Sequence, residues 1–425
     1  MFSHPLALLA FAILYRRMGS QRHAGASCRR SVRNGPAMVN PFEDDDPGPG
    51  ALEPAANPFR PGMGRIPPDF GGREPALRRA KIIVEQLTAG VAPEFVLYRG
   101  VRGVGKTALL AYVRQQAADR GILTVHLEAD RDDRSLGVAR ETLLRDASVL
   151  LDGVDAKVAR TLTAIQVAGV GVKLRDRGNP AATFESLIAD VALLAQRSSR
   201  GVLLTVDEVH EAGDLLLKPL LRAAHRAAQE DRPFGLLLSG LPTAAENLFD
   251  EGQTYTERLA RIDLGLLDRA GTADAVRRPF ARVAGADVDD LVIDALHDAS
   301  GGYPWFVQLW GEALWDLATD PDHIGLEVAR AAGERVHVRV QDFFAARWRR
   351  VPTGRAALLV VALAEAGGDA AMADLLDTIE VTHQAASPAR RSLLDLGLCW
   401  VPQRGRLAFS VPGFGAWILR TRPDR

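Results

Sequence analysis

The sequence predicts an α/β fold, a parallel β-sheet covered by helices on both faces, followed by a helical segment and a small α+β module with the element order of a winged helix. Three observations carry this expectation. The stretch Gly100-Val101-Arg102-Gly103-Val104-Gly105-Lys106-Thr107 fits the phosphate-loop (P-loop) pattern G-x-x-x-x-G-K-[ST] at every fixed position. Apolar strand-like runs alternate with helical spacing from residue 94 to about residue 266. Beyond Gly271 the strand signal fades, and residues 353–425 read helix, helix, helix, hairpin.

The 425 residues are enough for about two or three domains with cores of their own. Hydrophobic residues at 47% and charged residues at 25% match a globular protein, and no apolar run reaches the ~18 residues needed to span a bilayer, so no membrane partner is expected. Two cysteines, Cys28 and Cys399, fit a reducing compartment and exclude a disulfide framework or a Cys-rich zinc site, which makes the cytoplasm the expected location. The formal charge of −1 is uneven. Residues 1–37 hold six arginines and no acid, leaving 46 basic against 53 acidic residues in the remainder, so any nucleic-acid contact must be local.

Residues 1–56 read as an N-terminal segment that is disordered or lies outside the true gene product. The apolar run Pro5–Tyr15 has the length of a signal-peptide core but the wrong flanking charge, and Met38 reads as the translation start. Residues 39–68 repeat Asn-Pro-Phe at 40–42 and 57–59 among many Pro and Gly, an irregular lead-in without a core. A helix follows from Pro75 to about Leu87. The strand at Glu94–Tyr98, the P-loop helix from Ala108 to Gln116 and a strand at Ile122–Leu127 come next. Residues 168–174 suggest a small hairpin or a loop. Helices at 184–196, 215–229 and near Ala244 alternate with strands at 201–206, 234–239 and 262–266. Tyr303, Phe306, Val307, Trp310, Leu314 and Leu317 form one apolar helical stripe, read as core.

The P-loop carries the chemistry. Its glycines let the backbone aim N–H groups at phosphate oxygens, and the helix that begins near Ala108 adds the positive end of its dipole. Lys106 is expected on the β/γ-phosphates of ATP and Thr107 on Mg²⁺. Val202-Leu203-Leu204-Thr205-Val206-Asp207-Glu208 is an apolar strand ending in two acids, as in a Walker B motif. Asp207 is the expected magnesium acid, and Glu208 the group that orients and deprotonates the attacking water. Ser239, ending the strand Leu236–Ser239, either touches the γ-phosphate or attacking water, or only starts the Gly-Leu-Pro turn. Arg258 is either an arginine finger for a neighbouring copy or an exposed salt-bridging residue. His126, His210 and His225 are scattered and read as core or surface residues.

Taken with Gly72-Arg73-Glu74, Gly240-Leu241-Pro242, Glu257-Arg258-Leu259 and Gly301-Gly302-Tyr303-Pro304, these motifs make residues 57–420 resemble AAA+ ATPases of the initiator type (origin-recognition, Cdc-six-like), which overlap the STAND NTPases. The resemblance implies a nucleotide-binding domain at 57–270, a helical lid at 271–350 and a winged helix at 351–425. It also implies that Gly72 and Arg73 lie near the adenine and that Gly302 and Pro304 pack on the nucleotide. Where initiator-type lids carry a sensor arginine, this chain has Pro304-Trp305, and no arginine follows until Arg330. The Gly-Tyr-Pro version is similar to STAND proteins, which implies slow ATP turnover and use of ATP or ADP as a switch.

The C-terminal module would set the helix 383–396 in the DNA major groove, with Arg390 and Arg391 towards phosphate and Arg404-Gly405-Arg406 as the wing tip. Arg347, Arg349 and Arg350 would add positive charge. Eight basic and seven acidic residues from 353 to 425 make a weak basic footprint, so packing or protein contact is the other reading. The expected activity is a DNA-associated ATPase switch, and the alternative is a STAND-like signalling or scaffold switch that recruits protein partners or further copies of itself.

Overall fold

The computed structural model describes residues 52–62, 64–130, 134–147, 180–242 and 259–421. In chain order, the first half holds α1 (Glu74–Thr88), β1 (Val96–Arg99), α2 (Lys106–Ala118), β2 (Leu123–Glu128), α3 (Arg134–Ala147), α4 (Pro180–Arg197), β3 (Val202–Asp207), α5 (Asp214–Gln229), β4 (Phe234–Gly240) and β5 (Ala260–Asp263). The five strands form one parallel sheet in the order β2-β3-β4-β1-β5, with Val96 opposite Leu237 and Leu123 opposite Val202. Strand β4 therefore lies between the strand that feeds the P-loop and the strand that ends in Asp207. The expected hairpin at 168–174 and the helix near Ala244 fall outside the described residues, as does Arg258.

Alternation along the strands builds two cores. Leu97, Leu204, Val206, Leu236 and Leu238 face α3, α4 and α5, where Leu143, Phe184, Ile188 and Leu220 are buried. Their neighbours Val96, Tyr98, Leu203 and Leu237 face α1 and α2, against Ile83, Leu87, Leu109 and Leu110. Every residue of β3 and β4 is buried, which is why both read as continuous apolar runs.

The second half holds α6 (Arg269–Val283), β6 (Asp287–Val288), α7 (Asp290–Ser300), α8 (Pro304–Asp316), β7 (His323–Ile324), α9 (Leu326–Arg349), α10 (Arg355–Glu365), β8 (Asp369–Ala371), α11 (Met372–Thr378), α12 (His383–Asp395), β9 (Cys399–Trp400), β10 (Arg406–Phe409) and α13 (Phe414–Thr421). The two-residue strands β6 and β7 pair in parallel, a contact too short to leave a sequence pattern. From α10 onward the order is helix, strand, helix, helix, hairpin, helix, with an antiparallel sheet β8-β10-β9, an arrangement compatible with a winged helix. One hydrophobic core runs through both α6–α9 and α10–α13. Its aromatic spine passes from Phe306 at the start of α8 through Phe344 on α9 to Phe414 and Trp417 on α13, with neighbouring ring centroids 5.7–6.2 Å apart. Among the described residues no helix is long and apolar enough to cross a membrane.

Residues 52–62 correct the expectation of a lead-in without a core. Leu52 and Phe59 are buried among the helices of the second half, and the Phe59 ring lies 5.5 Å from that of Phe280. Asn57 Nδ2 donates to Asp316 Oδ1 at 2.7 Å, and Trp315 Nε1 donates to the Glu53 carbonyl at 3.0 Å. Proline and asparagine density hid this strap, because its two apolar anchors are too few to show periodicity.

The junction between sheet and lid is a backbone-to-backbone contact. The Leu267 N–H donates to the Gly302 carbonyl at 2.7 Å, and a Cβ on Gly302 would stand 1.9 Å from the Leu267 carbonyl oxygen. Gly302 also has φ 66°, where a side chain adds strain. Gly302→Ala should lower the urea midpoint by an amount equivalent to at least about 2 kcal/mol, while Gly265→Ala, where a Cβ would meet no atom within 4 Å and φ is ordinary, should leave it unchanged. Equal midpoints for the two variants would show that the lid tolerates displacement here.

Candidate nucleotide site

The site lies at the carboxyl ends of β1, β3 and β4, beside the N-terminus of α2. Gly100–Gly105 loops from β1 into α2, whose first residue is Lys106. The loop turns at Gly103 (φ 84°) and Gly105 (φ 95°), and a Cβ on Gly103 would overlap the Tyr303 hydroxyl at 1.7 Å. Lys106 is only 5% exposed, and its Nζ donates to the carbonyls of Gly100 at 2.9 Å and Val101 at 3.1 Å. Burial holds the Lys106 pKa below the usual lysine range, and the nearby Glu208 and Asp207 carboxylates oppose that shift. Val101, Val104 and Ala108 are buried, and the two valines belong to the core that holds Val96 and Tyr98 of β1.

Three oxygen-bearing side chains meet at the ends of β3 and β4. Thr107 Oγ1 donates to Asp207 Oδ2 at 2.5 Å, and Ser239 Oγ donates to Asp207 Oδ1. The Glu208 backbone N–H donates to the same Oδ1 at 2.9 Å. Asp207 thus receives a donor on each oxygen, and Ser239, fully buried, faces the acid as well as starting the turn. Hard oxygen donors in this arrangement suit Mg²⁺, with Thr107 and Asp207 as the residues that could hold it. Among the described residues, no group of three or more His, Cys, Asp or Glu side chains gathers to bind a metal. Glu208 is partly buried, and burial pushes its carboxyl above the usual carboxylate range, with Lys106 opposing.

Arg73 and the lid close the other side. Arg73 caps α1, and its Nη2 donates to the carbonyls of Gly265 at 2.6 Å and Val104 at 3.2 Å, tying the P-loop to the chain after β5. Burial pushes the Arg73 pKa down to about 10, so it stays charged at neutral pH. Gly72 precedes it with φ 69° and packs on the first turn of α6. Pro304 begins α8, and Tyr303, its N-cap, donates its hydroxyl to the Arg102 carbonyl at 2.9 Å.

Two contacts reach further, to the C-terminal module. The Arg102 side chain lies against Gly397 in the turn between α12 and β9, where a Cβ would stand 2.7 Å from Arg102 Cδ. Trp400 packs on the core that contains Val101 and Val104. Arg347 joins them: it is 7% exposed, donates from Nη2 to the Gly397 carbonyl at 2.7 Å, and lies over the Phe343 ring. That corrects the expectation that Arg347 adds exposed charge for DNA. Arg406 is likewise engaged, its Nε donating to Asp369 Oδ1 at 2.9 Å. Spacing alone could not reveal Tyr303 or Arg347 as junction residues, since Tyr303 reads as part of an apolar helical stripe and Arg347 as surface charge.

Comparison with known proteins agrees with this geometry. Residues 69–242 match the family model described as an AAA ATPase domain, and residues 341–418 match a domain of unknown function (DUF8462). No curated protein matches the chain. Among solved structures, it is similar to the ORC2 protein of Aeropyrum pernix in its ADPNP–ADP complexes, at 14% identity and a TM-score of 0.51, covering 85% of this chain and 97% of that one. The Aeropyrum pernix ORC1 protein in complex with DNA matches at 18% identity and a TM-score of 0.40, over 84% of this chain and 94% of its own. The Thermotoga maritima RuvB branch migration motor matches at 14% and 0.41, over 84% and 96%. The first of these likenesses shows the fold. Residues 69–242 thus match an AAA ATPase domain, and the chain shares its fold with the Aeropyrum pernix ORC2 protein.

Proposed function

We propose that the chain is an ATP-binding, slowly hydrolysing switch whose nucleotide state sets the position of the lid and the winged helix, and that the winged helix associates with duplex DNA. The single observation behind this reading is that one P-loop residue, Arg102, touches both outputs. Its carbonyl receives the Tyr303 hydroxyl, and its side chain lies on Gly397 of the C-terminal module. A phosphate that reshapes the loop then changes the contacts of both. For a switch, the γ-phosphate must favour one arrangement over the other.

In this reading the backbone N–H groups of Gly103 to Ala108 and the Lys106 ammonium bind the phosphates, Gly72 and Arg73 flank the adenine, and Gly302 and Pro304 cover the nucleotide from the lid. Bound Mg²⁺ supplies positive charge against the phosphate oxygens. Glu208 orients the attacking water and takes its proton, and Ser239 fixes Asp207 while facing the γ-phosphate. Pro304-Trp305 in place of a lid arginine, a charge that would stabilise the departing phosphate, supports slow turnover.

The DNA reading rests on α12, whose His383, Gln384, Ser387 and Arg391 are exposed, and on the wing, where Arg404 is exposed. These residues lie on a helix and a hairpin of the winged-helix arrangement, and the contacts at Gly397 and Trp400 lie beyond the C-terminal end of α12.

Lys106→Ala should weaken ATP binding by at least about tenfold, and Glu208→Gln should retain binding while lowering turnover by about a hundredfold or more, both read by isothermal titration and phosphate release. Wild-type turnover in both variants would overturn the site. Fluorescence anisotropy with duplex DNA at two salt concentrations should show binding that weakens with salt, depends on ATP, and falls in Arg391→Ala with Arg404→Ala. No binding at low salt would reject the DNA reading and favour a protein-recruiting switch.

A further inference from the structure

We infer that His210 is the positioning residue for Glu208, tying the direction of the base to the end of β4; this rests on the reading of Glu208 as the group that activates water. Immediately after Asp207 the chain turns, and Glu208 takes a left-handed backbone (φ 50°, ψ 39°), a strained conformation for a residue with a Cβ. A short 3-10 turn over Val209–Glu211 follows, with the Glu211 N–H donating to the Glu208 carbonyl at 2.7 Å. The turn folds the imidazole back beside the carboxylate two residues before it.

His210 Nδ1 stands 3.3 Å from Glu208 Oε2, and the Leu241 backbone N–H donates to the same nitrogen at 3.4 Å. The other ring nitrogen, Nε2, lies 3.5 Å from Glu211 Oε1. The side chain is 4% exposed, so the ring has no room to swing into solvent. One ring nitrogen therefore faces two partners with opposite demands. When Nδ1 accepts from Leu241, its one lone pair is taken and the proton sits on Nε2, on the Glu211 side, so Glu208 Oε2 receives no hydrogen bond from the ring. When Nδ1 carries the proton, it donates to Glu208 and releases Leu241.

Leu241 lies two residues beyond Ser239, whose hydroxyl donates to Asp207. The imidazole thus joins the ends of β3 and β4, the two strands that bear Asp207, Glu208 and Ser239. A shift at the end of β4 exchanges one Nδ1 partner for the other, and the carboxylate of Glu208 follows. The sequence offers a signal for this role in hindsight: His210 falls three residues after Asp207, one turn onward on the same loop.

ATP turnover by the full chain, at saturating and limiting ATP, tests the inference. His210→Phe keeps the ring's shape and removes both nitrogens; His210→Asn keeps a polar atom near Nδ1; His210→Gln carries its polar atoms further out, towards Nε2. His210→Phe should lower kcat by about tenfold or more with KM within about twofold, and His210→Asn should recover most of the rate while His210→Gln does not. An unchanged kcat in His210→Phe, a matching change in KM, or equal rates for Asn and Gln would overturn it, and the last comparison stands even where His210→Phe fails to fold. Glu208→Gln is measured alongside. Retained turnover in that variant overturns the base itself, whereas lost turnover with an unaffected His210→Phe overturns only the role of His210.

Discussion

The hydrogen bond from the Tyr303 hydroxyl to the Arg102 carbonyl is the constraint on which the arrangement of the two halves depends. A P-loop carbonyl has no strand or helix partner of its own, and Tyr303, buried between lid and loop, has no water to turn to. Each group satisfies the other only while the lid stays where it is. The absence of a side chain at Gly103 is what lets the phenol approach, since a Cβ would overlap the hydroxyl. The P-loop glycine serves packing by the lid as well as access for phosphate.

Charge accounts for the rest of the junction. Lys106, Arg73 and Arg347 are all buried cations whose burial lowers their pKa values, and among the described residues none of the three donates to a carboxylate. Each donates instead to backbone carbonyls, which carry enough partial negative charge to hold a cation and leave it poised for an anion. Arg102 adds a fourth positive charge and opposes the ionised form of both Lys106 and Arg347. Under the proposed function a triphosphate would relieve that repulsion, and phosphate charge at Lys106 would then also be felt at Arg347, on the helix that leads into the C-terminal module.

Much of this was legible in the sequence. The parallel sheet announced itself through β3 and β4, buried on both faces and hence apolar without interruption, and the P-loop and acid pair fell where strand ends and a helix start must meet. The first three helices of residues 353–425 were readable because each has an apolar face and the hairpin breaks at Gln403-Arg404-Gly405, whereas α13 was not foreseen. What stayed hidden depends on contacts between distant residues. Arg347 looked like exposed charge because a single arginine carries no mark of the glycine carbonyl it meets 50 residues away. His210 looked scattered because its partners, Glu208 and Leu241, come together only when β3 and β4 lie side by side. The strap at 52–62 escaped because two buried side chains do not make a period.

Backbone hydrogen exchange over residues 397–401 tests the coupling most directly, measured in the Glu208→Gln variant with ATP and with ADP at saturation. Those amides sit where Arg102, Arg347 and Trp400 converge, so their protection reports whether the module is docked on the P-loop. The account predicts different protection in the two nucleotide states, and loss of that difference when Lys106 is replaced by alanine. Identical exchange with ATP and ADP would contradict it.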